Sequence, residues 1–290
     1  LSFLVFRKSF PPLKAAGVSL FHSVASFNNS GFDILGGGQN LIPYQDDILL
    51  NLVTCALVIF GGIGFLVIRE VIAKRFRWKK LSMHAKVVLF MSLVLTAAGT
   101  VLLKLTEDIT WMGAFFTSVS ARTAGFSTFP LGSFSSAGLL TVIVLMVIGA
   151  SPGSTGGGIK TTTCYVLFEG IRSSATNTSE KAFRYAVPAD AFRKAAVITL
   201  LAIGIVLSGT YILVILEPGV PFLDALFEMS SAFGTAGLST GISAGLCDAA
   251  KILTILIMFI GRLGPLTIAS LWYFTKGERV SYPEGNIAIG

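Results

Sequence analysis

Residues 149–163, GASPGSTGGGIKTTT, hold a glycine-rich run followed by a lysine and three threonines. This composition is typical of loops that bind phosphate through backbone N–H groups, whose motif is G-x-x-x-x-G-K-[ST]. Gly153 and Gly158 have the spacing of that motif, but Ile159 stands where the lysine belongs and Lys160 follows one residue late. Because a shift of one residue turns a helical side chain by about 100°, the Lys160 side chain would point away from the phosphate position of that motif. The stretch therefore departs from a phosphate loop, and the rest of the chain must indicate what it does.

The chain is much more apolar than a soluble domain. Of its 290 residues, 53% are hydrophobic and 13% are charged, about half the charged share of a typical soluble protein. Its mean hydropathy is +0.78. Apolar runs of about 20 residues or more, enough to cross a hydrocarbon layer of about 30 Å, cover residues 48–73, 85–105, 138–175 with a glycine-rich interruption, 193–216 and 251–275. The composition predicts an all-α, polytopic membrane protein.

The net charge of +7 is explained by topology. Basic residues concentrate at 69–86, at 172–194 and in the C-terminal tail. The loops between them contain no Lys or Arg and several Asp or Glu; they are residues 33–47, 106–111, 126–137, 217–221 and 238–249. The positive-inside rule therefore assigns the basic loops to the cytosol, and no nucleic-acid partner is needed to explain the charge. Arg7, Lys8 and Lys14 do not fit, because they precede a segment that this scheme places outside.

A repeat of long helix, short outer helix, non-helical turn and long helix runs through the chain. The short segments, at 15–27, 111–121 and 221–233, are too short to span a bilayer and are typical of re-entrant segments. Each leads into a glycine-containing turn. The turns read FNNSGFDI (27–34), ARTAGFST (121–128) and GTAGLSTG (234–241), and they align on Gly31, Gly125 and Gly237.

Three such turns around one axis suit cation conduction. Non-helical backbone at membrane depth is tolerated only where it lines a water-filled cavity or is buried in protein. The C-terminal end of each short helix carries about half a negative charge, and turn carbonyls can replace the hydration shell of an ion. A single glycine of this kind is more simply explained as a helix C-cap, but three copies at the same topological place favour a pore.

These motifs, together with SPGSTGGGIKTTT, resemble the Trk/Ktr/HKT superfamily of potassium transporters, and the bacterial Ktr/Trk membrane subunits most closely. The resemblance implies four helix–pore helix–helix repeats around a pseudo-fourfold pore. Three repeats are present, at 1–84, 85–184 and 185–290, so we expect that the first repeat is missing and that the chain is a fragment. The resemblance also implies a potassium-binding selectivity filter. Its residues are Asn29, Ser30, Gly31, Thr123, Ala124, Gly125, Thr235, Ala236 and Gly237.

The resemblance gives the glycine-rich stretch a role as an intramembrane gate at residues 151–160. Physical chemistry agrees, because Pro152 lacks a backbone donor and each glycine disfavours helix by about 1 kcal/mol relative to alanine. Arg262, a costly charge near the bilayer centre, is expected to contact this loop and to form a positive barrier. Lys160 either lines the cavity or caps the second half-helix. The expected gate residues are Gly153, Ser154, Thr155, Gly156, Gly157, Gly158, Lys160 and Arg262.

Other charged residues are given structural roles. Arg122 and Glu228 lie in or beside the short helices, and we expect them to brace the filter through ion pairs. The outer carboxylates either concentrate cations at the pore mouth or are simply solvated. They are Asp33, Asp46, Asp47, Glu107, Asp108, Glu217 and Asp248.

The predicted function is potassium uptake across the bacterial plasma membrane by a multi-pass, gated, channel-like pore, with no enzymatic activity and no covalent cofactor. K⁺ is the transported ion and Na⁺ a candidate activator. The resemblance implies a homodimer, with residues 281–290 near its interface, and a cytosolic ring of nucleotide-binding regulatory subunits. Two alternatives stay open. They are a sodium-coupled secondary transporter (symport), and a membrane enzyme that binds nucleotide at residues 153–160.

Overall fold

The computed structural model describes residues 1–36, 39–188, 190–264 and 267. Within them the fold is almost entirely helical, which confirms the predicted fold class. The α-helices are α1 (Ser2–Phe6), α2 (Pro12–Phe27), α3 (Ile48–Ile63), α4 (Phe65–Ala73), α5 (Met83–Thr106), α6 (Trp111–Ala121), α7 (Ser136–Val147), α8 (Thr161–Thr176), α9 (Ala191–Leu216), α10 (Phe222–Gly234) and α11 (Asp248–Leu263). A small antiparallel hairpin pairs β1 (Lys181–Ala182) with β2 (Tyr185–Ala186). Short 3₁₀ turns lie at Ile42–Tyr44, Trp78–Lys80, Leu131–Ser133 and Ser243–Gly245.

Helices α5 and α9, of 24 and 26 residues, are long and apolar enough to cross a membrane by length and composition. The run at 48–73, predicted to be long enough to cross the membrane, does not form one straight helix. It breaks at Gly64 into α3 and α4, whose axes differ by 97°. Gly64 has φ 93° and ψ 140°, a conformation that other residues rarely adopt.

The second long helix is interrupted in the first two repeats, and α11 of the third repeat ends at Leu263. Gly264, after α11, has φ 91° and ψ 138°, almost the same conformation as Gly64. In the middle repeat α7 ends at Val147 and α8 begins at Thr161. The apolar run predicted to continue to 275, and the tail at 281–290, extend beyond the described residues.

The short helices α6 and α10 lie inside the bundle, whereas more than half of the residues of α2 are exposed. Helix α2 packs against α1 and α3 of its own repeat, α6 against α5 and α7, and α10 against α9 and α11. In addition, α6 contacts α3 and α10 contacts α7, so these two short helices also touch the second helix of the preceding repeat. This succession arranges the repeats side by side around a common centre. The largest fully buried side chains at these contacts are aromatic, with Phe116, Phe126, Phe227 and Phe233 all at most 2% exposed.

Glycines allow the short helices to approach the second helices closely. A Cβ atom on Gly61 of α3 would overlap the carbonyl oxygen of Phe27, the last residue of α2. At the equivalent place in the third repeat, a Cβ atom on Gly261 of α11 would overlap the carbonyl oxygen of Phe233. Both crossings therefore require a residue without a side chain. They also fix the position of the turns that follow α2 and α10 relative to α3 and α11.

We expect Gly261→Ala to lower the free energy of unfolding by about 1–3 kcal/mol, because the added methyl group forces the backbones of α10 and α11 apart. Thermal unfolding of the purified protein in detergent measures the effect. Gly204→Ala is the matched control, since Gly204 lies within α9 and a Cβ atom there meets nothing within 4 Å. The control should leave the unfolding midpoint unchanged or raise it, because alanine stabilises a helix by up to about 1 kcal/mol relative to glycine. Equal midpoints for the two variants would contradict the tight crossing.

Candidate ion pathway

The three short helices end in turns of the same unusual conformation. Residues two positions before each aligned glycine have positive φ, at 51° for Asn29, 89° for Thr123 and 51° for Thr235. The following amides of Ser30 and Ala236 reach back five residues, to Ala25 O at 3.0 Å and Ser231 O at 2.9 Å. This is the helix C-cap geometry in which a left-handed residue closes the last turn.

The C-cap explanation therefore applies to Asn29 and Thr235 and leaves the glycines free for another role. Gly31, Gly125 and Gly237 follow as a second set of positive-φ residues, at 64°, 81° and 81°. A β-branched residue in the left-handed region is a genuine outlier, and two of the three turns hold one. Such strain clusters at functional sites.

Close approach of the turns to one another explains the glycines. A Cβ atom on Gly31 would lie 2.6 Å from Ala124 O, and one on Gly125 would lie 2.5 Å from Ala236 O. The third glycine lies in the same row, because a Cβ atom on Gly237 would be 3.6 Å from the Cα atom of Gly125. The structure thus brings the three predicted filter segments together, in chain order and in backbone contact.

Hydrogen bonds between elements hold these turns. The side-chain amide of Asn29 lies 3.3 Å from Thr123 Oγ1, and with its oxygen toward Thr123 its nitrogen donates to Val58 O and Ser26 O. Ser120 Oγ donates to Phe126 O at 2.5 Å, which closes the middle turn. From the outer loop, Asn40 Nδ2 donates to Gly125 O at 3.3 Å. Sequence reasoning missed Asn40, because nothing in the stretch around it distinguishes it from an ordinary loop residue.

Arg122 and Glu228 brace the turns, but the expected ion pairs are absent among the described residues. Arg122 Nη1 donates to Ser92 O at 2.8 Å and to Thr96 Oγ1 at 3.1 Å, both on α5. Glu228 accepts from the Ser243 hydroxyl at 2.7 Å, from the Thr240 amide at 3.3 Å and from the Ser239 hydroxyl. The ion-pair prediction is wrong because each charge faces hydroxyl and backbone groups of its own repeat. The buried Nε atom of Arg122 has no hydrogen-bond partner.

Several outer carboxylates organise loops. Asp33 accepts from the amides of Leu35 and Asn40, at 2.8 and 3.3 Å, and Asp47 caps α3 through the Leu50 amide at 2.9 Å. Glu107 accepts from the Ser135 hydroxyl at 2.6 Å. Glu217 accepts from the Cys247 amide at 2.6 Å, and this hydrogen bond lowers the pKa of Glu217 below its ordinary value. These side chains keep a negative charge at the outer face while they fix its loops.

The glycine-rich stretch is non-helical from 148 to 160 and lies against the inner side of the turns. The Gly157 amide donates to Thr235 Oγ1 at 3.0 Å. A Cβ atom on Gly156 would overlap Thr123 Oγ1. The loop thus touches two of the residues that precede the aligned glycines.

The same loop binds the broken end of α3. The last four carbonyl groups of a helix have no partner within it, and two of those of α3 are bound by the loop. Gly62 O accepts from the Ser151 amide at 3.0 Å, and Gly61 O accepts from Thr155 Oγ1 at 3.3 Å. In return, Gly153 O accepts from the Phe65 amide at 3.2 Å, at the start of α4. The bend at Gly64 and the loop therefore stabilise each other.

Two cations bind successive carbonyl groups of the loop. Arg262 donates to Thr155 O, across 107 residues of sequence, and Lys160 Nζ donates to Gly156 O at 2.7 Å. Lys160 stands at the N-cap position immediately before α8, where its side chain makes no capping hydrogen bond. These contacts differ from those of a phosphate loop, whose lysine and backbone N–H groups face the ligand.

The remaining predicted gate residues stay within the loop. Ser154 Oγ donates to Ser151 O at 2.6 Å, and its side chain does not reach the turns. Gly153 has open space where a side chain would be. Gly158 lies where the chain returns to α7, since the next amide, Ile159 N, donates to Val147 O at 3.0 Å. Of the predicted set, Thr155, Gly156 and Gly157 thus form the part nearest the turns.

His22, to which the sequence assigned no role, is buried beside the first turn. Its Nε2 atom lies 2.8 Å from Thr54 Oγ1 on α3. Its ring lies edge-on between Phe6 and Phe126, with centroids 5.7 and 5.1 Å away. This histidine joins α2 to α3 and to the middle turn, which a lone histidine in an apolar segment did not indicate.

Comparison with known proteins agrees with this geometry. The sequence profile of the TrkH family, described as a cation transport protein, matches residues 10–110 and 76–275. Ktr system potassium uptake protein B of Bacillus subtilis (strain 168) is 36% identical over 286 residues, and that of Vibrio alginolyticus is 35% identical over 289. These alignments cover 94% of this chain and 63% and 62% of the two relatives, so the chain spans less than two thirds of their length.

Two further similarities concern the ion and the fold. The potassium/sodium uptake protein NtpJ of Enterococcus hirae is 33% identical over 308 residues, which cover 99% of this chain and 67% of that protein. The crystal structure of the potassium transporter TrkH from Vibrio parahaemolyticus superposes with a TM-score of 0.74 at 20% identity, over 94% of this chain and 61% of that one. At that identity the structural likeness establishes the fold.

Proposed function

This chain belongs to the TrkH family of cation transport proteins, and from that premise we propose that it forms the pore of a potassium uptake system. The convergence of three glycine-containing turns, with carbonyl groups and glycines in backbone contact, carries the proposal. Relatives over 30% identical are named as potassium uptake proteins, which supports K⁺ as the ion. The family is one of transport proteins, in agreement with the prediction that the chain is not an enzyme.

The proposed filter consists of residues 29–31, 123–125 and 235–237. Helices α2, α6 and α10 direct their C-terminal ends toward it, and each end contributes about half a negative charge. The carbonyl groups of the turns then replace the water around a dehydrated cation. We propose that a fourth strand completes the ring beside Gly237, since Gly31 and Gly125 each abut a neighbouring carbonyl group whereas Gly237 meets only the Gly125 Cα atom within 4 Å.

The proposed gate is the loop at 151–160 together with Arg262. Thr155, Gly156 and Gly157 lie beneath the filter, and the positive charge of Arg262 is held there by a loop carbonyl group. A cation leaving the filter meets this charge, so the loop and the arginine form both a steric and an electrostatic barrier. Withdrawal of the glycine-rich segment, which has little intrinsic preference for one conformation, opens the path.

The finer assignments follow the same reasoning. We propose a homodimer in the bacterial plasma membrane, with a cytosolic nucleotide-binding ring against the basic loops. The tail at 281–290, predicted near the dimer interface, lies outside the described residues. Sodium as an activator or a coupled ion is supported by the name of the relative NtpJ. Dependence of uptake on external Na⁺ separates this second function, sodium-coupled symport, from a simple potassium pore.

Rubidium uptake tests the proposal. The full-length gene product, expressed with its regulatory partner in bacteria that lack their own potassium uptake, should give saturable ⁸⁶Rb⁺ uptake that Na⁺ inhibits weakly. Gly125→Ser should reduce the preference for Rb⁺ over Na⁺ at least about tenfold, equivalent to about 1.4 kcal/mol, because the side chain displaces Ala236 O.

Gly241→Ser is the matched control for that variant. Gly241 also has positive φ, 108°, but a Cβ atom there meets nothing within 4 Å, and it lies in the outer loop. The control should keep the ion preference. No uptake by a correctly inserted wild-type protein would contradict the proposed function, and equal effects of the two serine variants would contradict the position of the filter.

Deletion of residues 153–158 should raise uptake several-fold, because it removes the segment beneath the proposed filter. The hydroxyl groups of Ser151 and Thr161, which flank the deleted segment, stay paired with each other. The initial rate of ⁸⁶Rb⁺ entry in the same cells measures it. Ser154→Ala is the control, since the Ser154 side chain bonds only within the loop, and it should leave the rate unchanged. An unchanged or lower rate in a deletion variant that elutes as folded protein would refute the gate.

A further inference from the structure

A cavity of about 600 Å³ lies at the basic end of the molecule. Its lining residues are separated in sequence from those of the proposed filter and gate. The cavity opens between the short turn before α5 and the β1–β2 hairpin. Six side chains line it, three cationic and three aromatic: Trp78, Lys79, Lys86, Phe183, Arg184 and Tyr185. None of the proposed transport residues contributes to it.

The cavity carries three positive charges and its lining contains no carboxylate. In the part of the chain that the structure describes, the ion pairs lie elsewhere, at Lys74–Glu70, Arg172–Glu169 and Lys194–Asp190. Lys86 is only 8% exposed, and its Nζ atom lies 5.7 Å from the centre of the Tyr185 ring. An ammonium group that lines a cavity and faces an aromatic ring and no carboxylate leaves its charge available to an anion.

The aromatic side of the cavity continues onto the lipid-facing surface of α5. Phe183 packs edge-on against Trp78 at 5.9 Å and against Phe90 at 6.2 Å. Beyond Phe90, Leu93 is 70% exposed on the outside of a helix long enough to cross the membrane. Trp78 stands just before this helix, where tryptophan is enriched at the boundary between lipid and water. An anion bound among the cations would therefore have an apolar surface beside it, running into the bilayer.

We propose that this cavity binds the phosphate-bearing headgroup of an anionic phospholipid of the cytosolic leaflet, with an acyl chain along Phe90 and Leu93. Basic cavities between helices on the cytosolic side are the sites at which such headgroups bind. The proposal rests on the membrane orientation assigned under the proposed function. Its test uses lipid binding and no transport, so either one can fail while the other holds.

Trp78 itself provides the probe. This sequence has tryptophan at 78, 111 and 272, so Trp111→Phe combined with Trp272→Phe leaves Trp78 as its single tryptophan, and any tryptophan of the full-length protein outside this sequence is also replaced by Phe. The full-length protein is reconstituted in phosphatidylcholine vesicles with a graded fraction of phosphatidylglycerol, and brominated acyl chains are placed on one lipid at a time. Brominated phosphatidylglycerol should quench Trp78 more strongly than brominated phosphatidylcholine at the same mole fraction.

Charge-removing variants separate the site from the general surface potential. Lys79→Gln combined with Arg184→Gln removes two exposed cations of the cavity and spares the buried Lys86. We expect the preference for phosphatidylglycerol to fall at least about fivefold, equivalent to about 1 kcal/mol, because the headgroup loses two of its three cationic partners in the cavity. The control is Arg75→Gln combined with Lys80→Gln, in a neighbouring basic cavity of about 340 Å³ whose lining has no aromatic residue. The control should keep the preference.

Three results would overturn the assignment. Equal quenching by the two brominated lipids would show that the cavity has no headgroup preference. An equal loss of the preference for phosphatidylglycerol in the cavity variant and in the control would show that the preference comes from the general surface charge. Abolition of the preference by millimolar inorganic phosphate at constant ionic strength would assign the cavity to a soluble anion. Persistent excess quenching in phosphate, lost only in the cavity variant, supports the lipid site.

Discussion

Non-helical backbone that lies between membrane-spanning helices has no water with which to pair, and this constraint organises the centre of the molecule. Four stretches of such backbone occur here, the three turns after α2, α6 and α10 and the loop between α7 and α8. They satisfy one another. The turns abut through glycines, and the loop pairs with Thr235 on one side and with the exposed carbonyl groups of α3 on the other. We propose that the carbonyl groups of the turns that have no partner bind the ion.

The loop is therefore more than an obstruction under the filter. It occupies the position that a continuous second helix would fill in the middle repeat, and its amides bind the carbonyl groups released by the break of α3 at Gly64. Movement of residues 151–157 must break the contacts with Gly61 and Gly62 and the one with Arg262 together. A change transmitted along α4 or α8 from the basic end of the molecule would thus reach the loop through backbone hydrogen bonds, which would give the proposed regulatory partner a route to the proposed gate.

Sequence alone predicted the features that repeat. The three glycines, the short helices and the interruption at 151–160 were expected because each appears as a local pattern, and Pro152 with four nearby glycines excludes helix on intrinsic grounds. The structure places these residues together as expected, and their assignment to a filter and a gate stays a prediction. The left-handed Asn29, Thr123 and Thr235 were named as flanking residues, but their role as caps depends on backbone geometry that their types do not reveal.

What the sequence did not give are properties that arise from distant contacts. The 97° bend at Gly64 was missed because Gly61, Gly62 and Gly64 are tolerated in membrane helices, and the bend depends on a loop about 90 residues away. Arg122 and Glu228 were expected to find opposite charges, since a charge in an apolar segment indicates a partner but not its kind. Asn40 and His22 join elements that are far apart in the chain, and neither stands in a recognisable motif.

The most direct measurement is anomalous diffraction from crystals of the full-length protein grown with thallium or rubidium in place of potassium. The account predicts an anomalous peak on the axis between the carbonyl groups of residues 29–31, 123–125 and 235–237, above the loop at 151–160, and loss of that peak when sodium replaces the heavier ion. Ordered protein with no peak at those carbonyl groups, or with its peaks only elsewhere, would contradict the claim that these turns form the ion-binding filter.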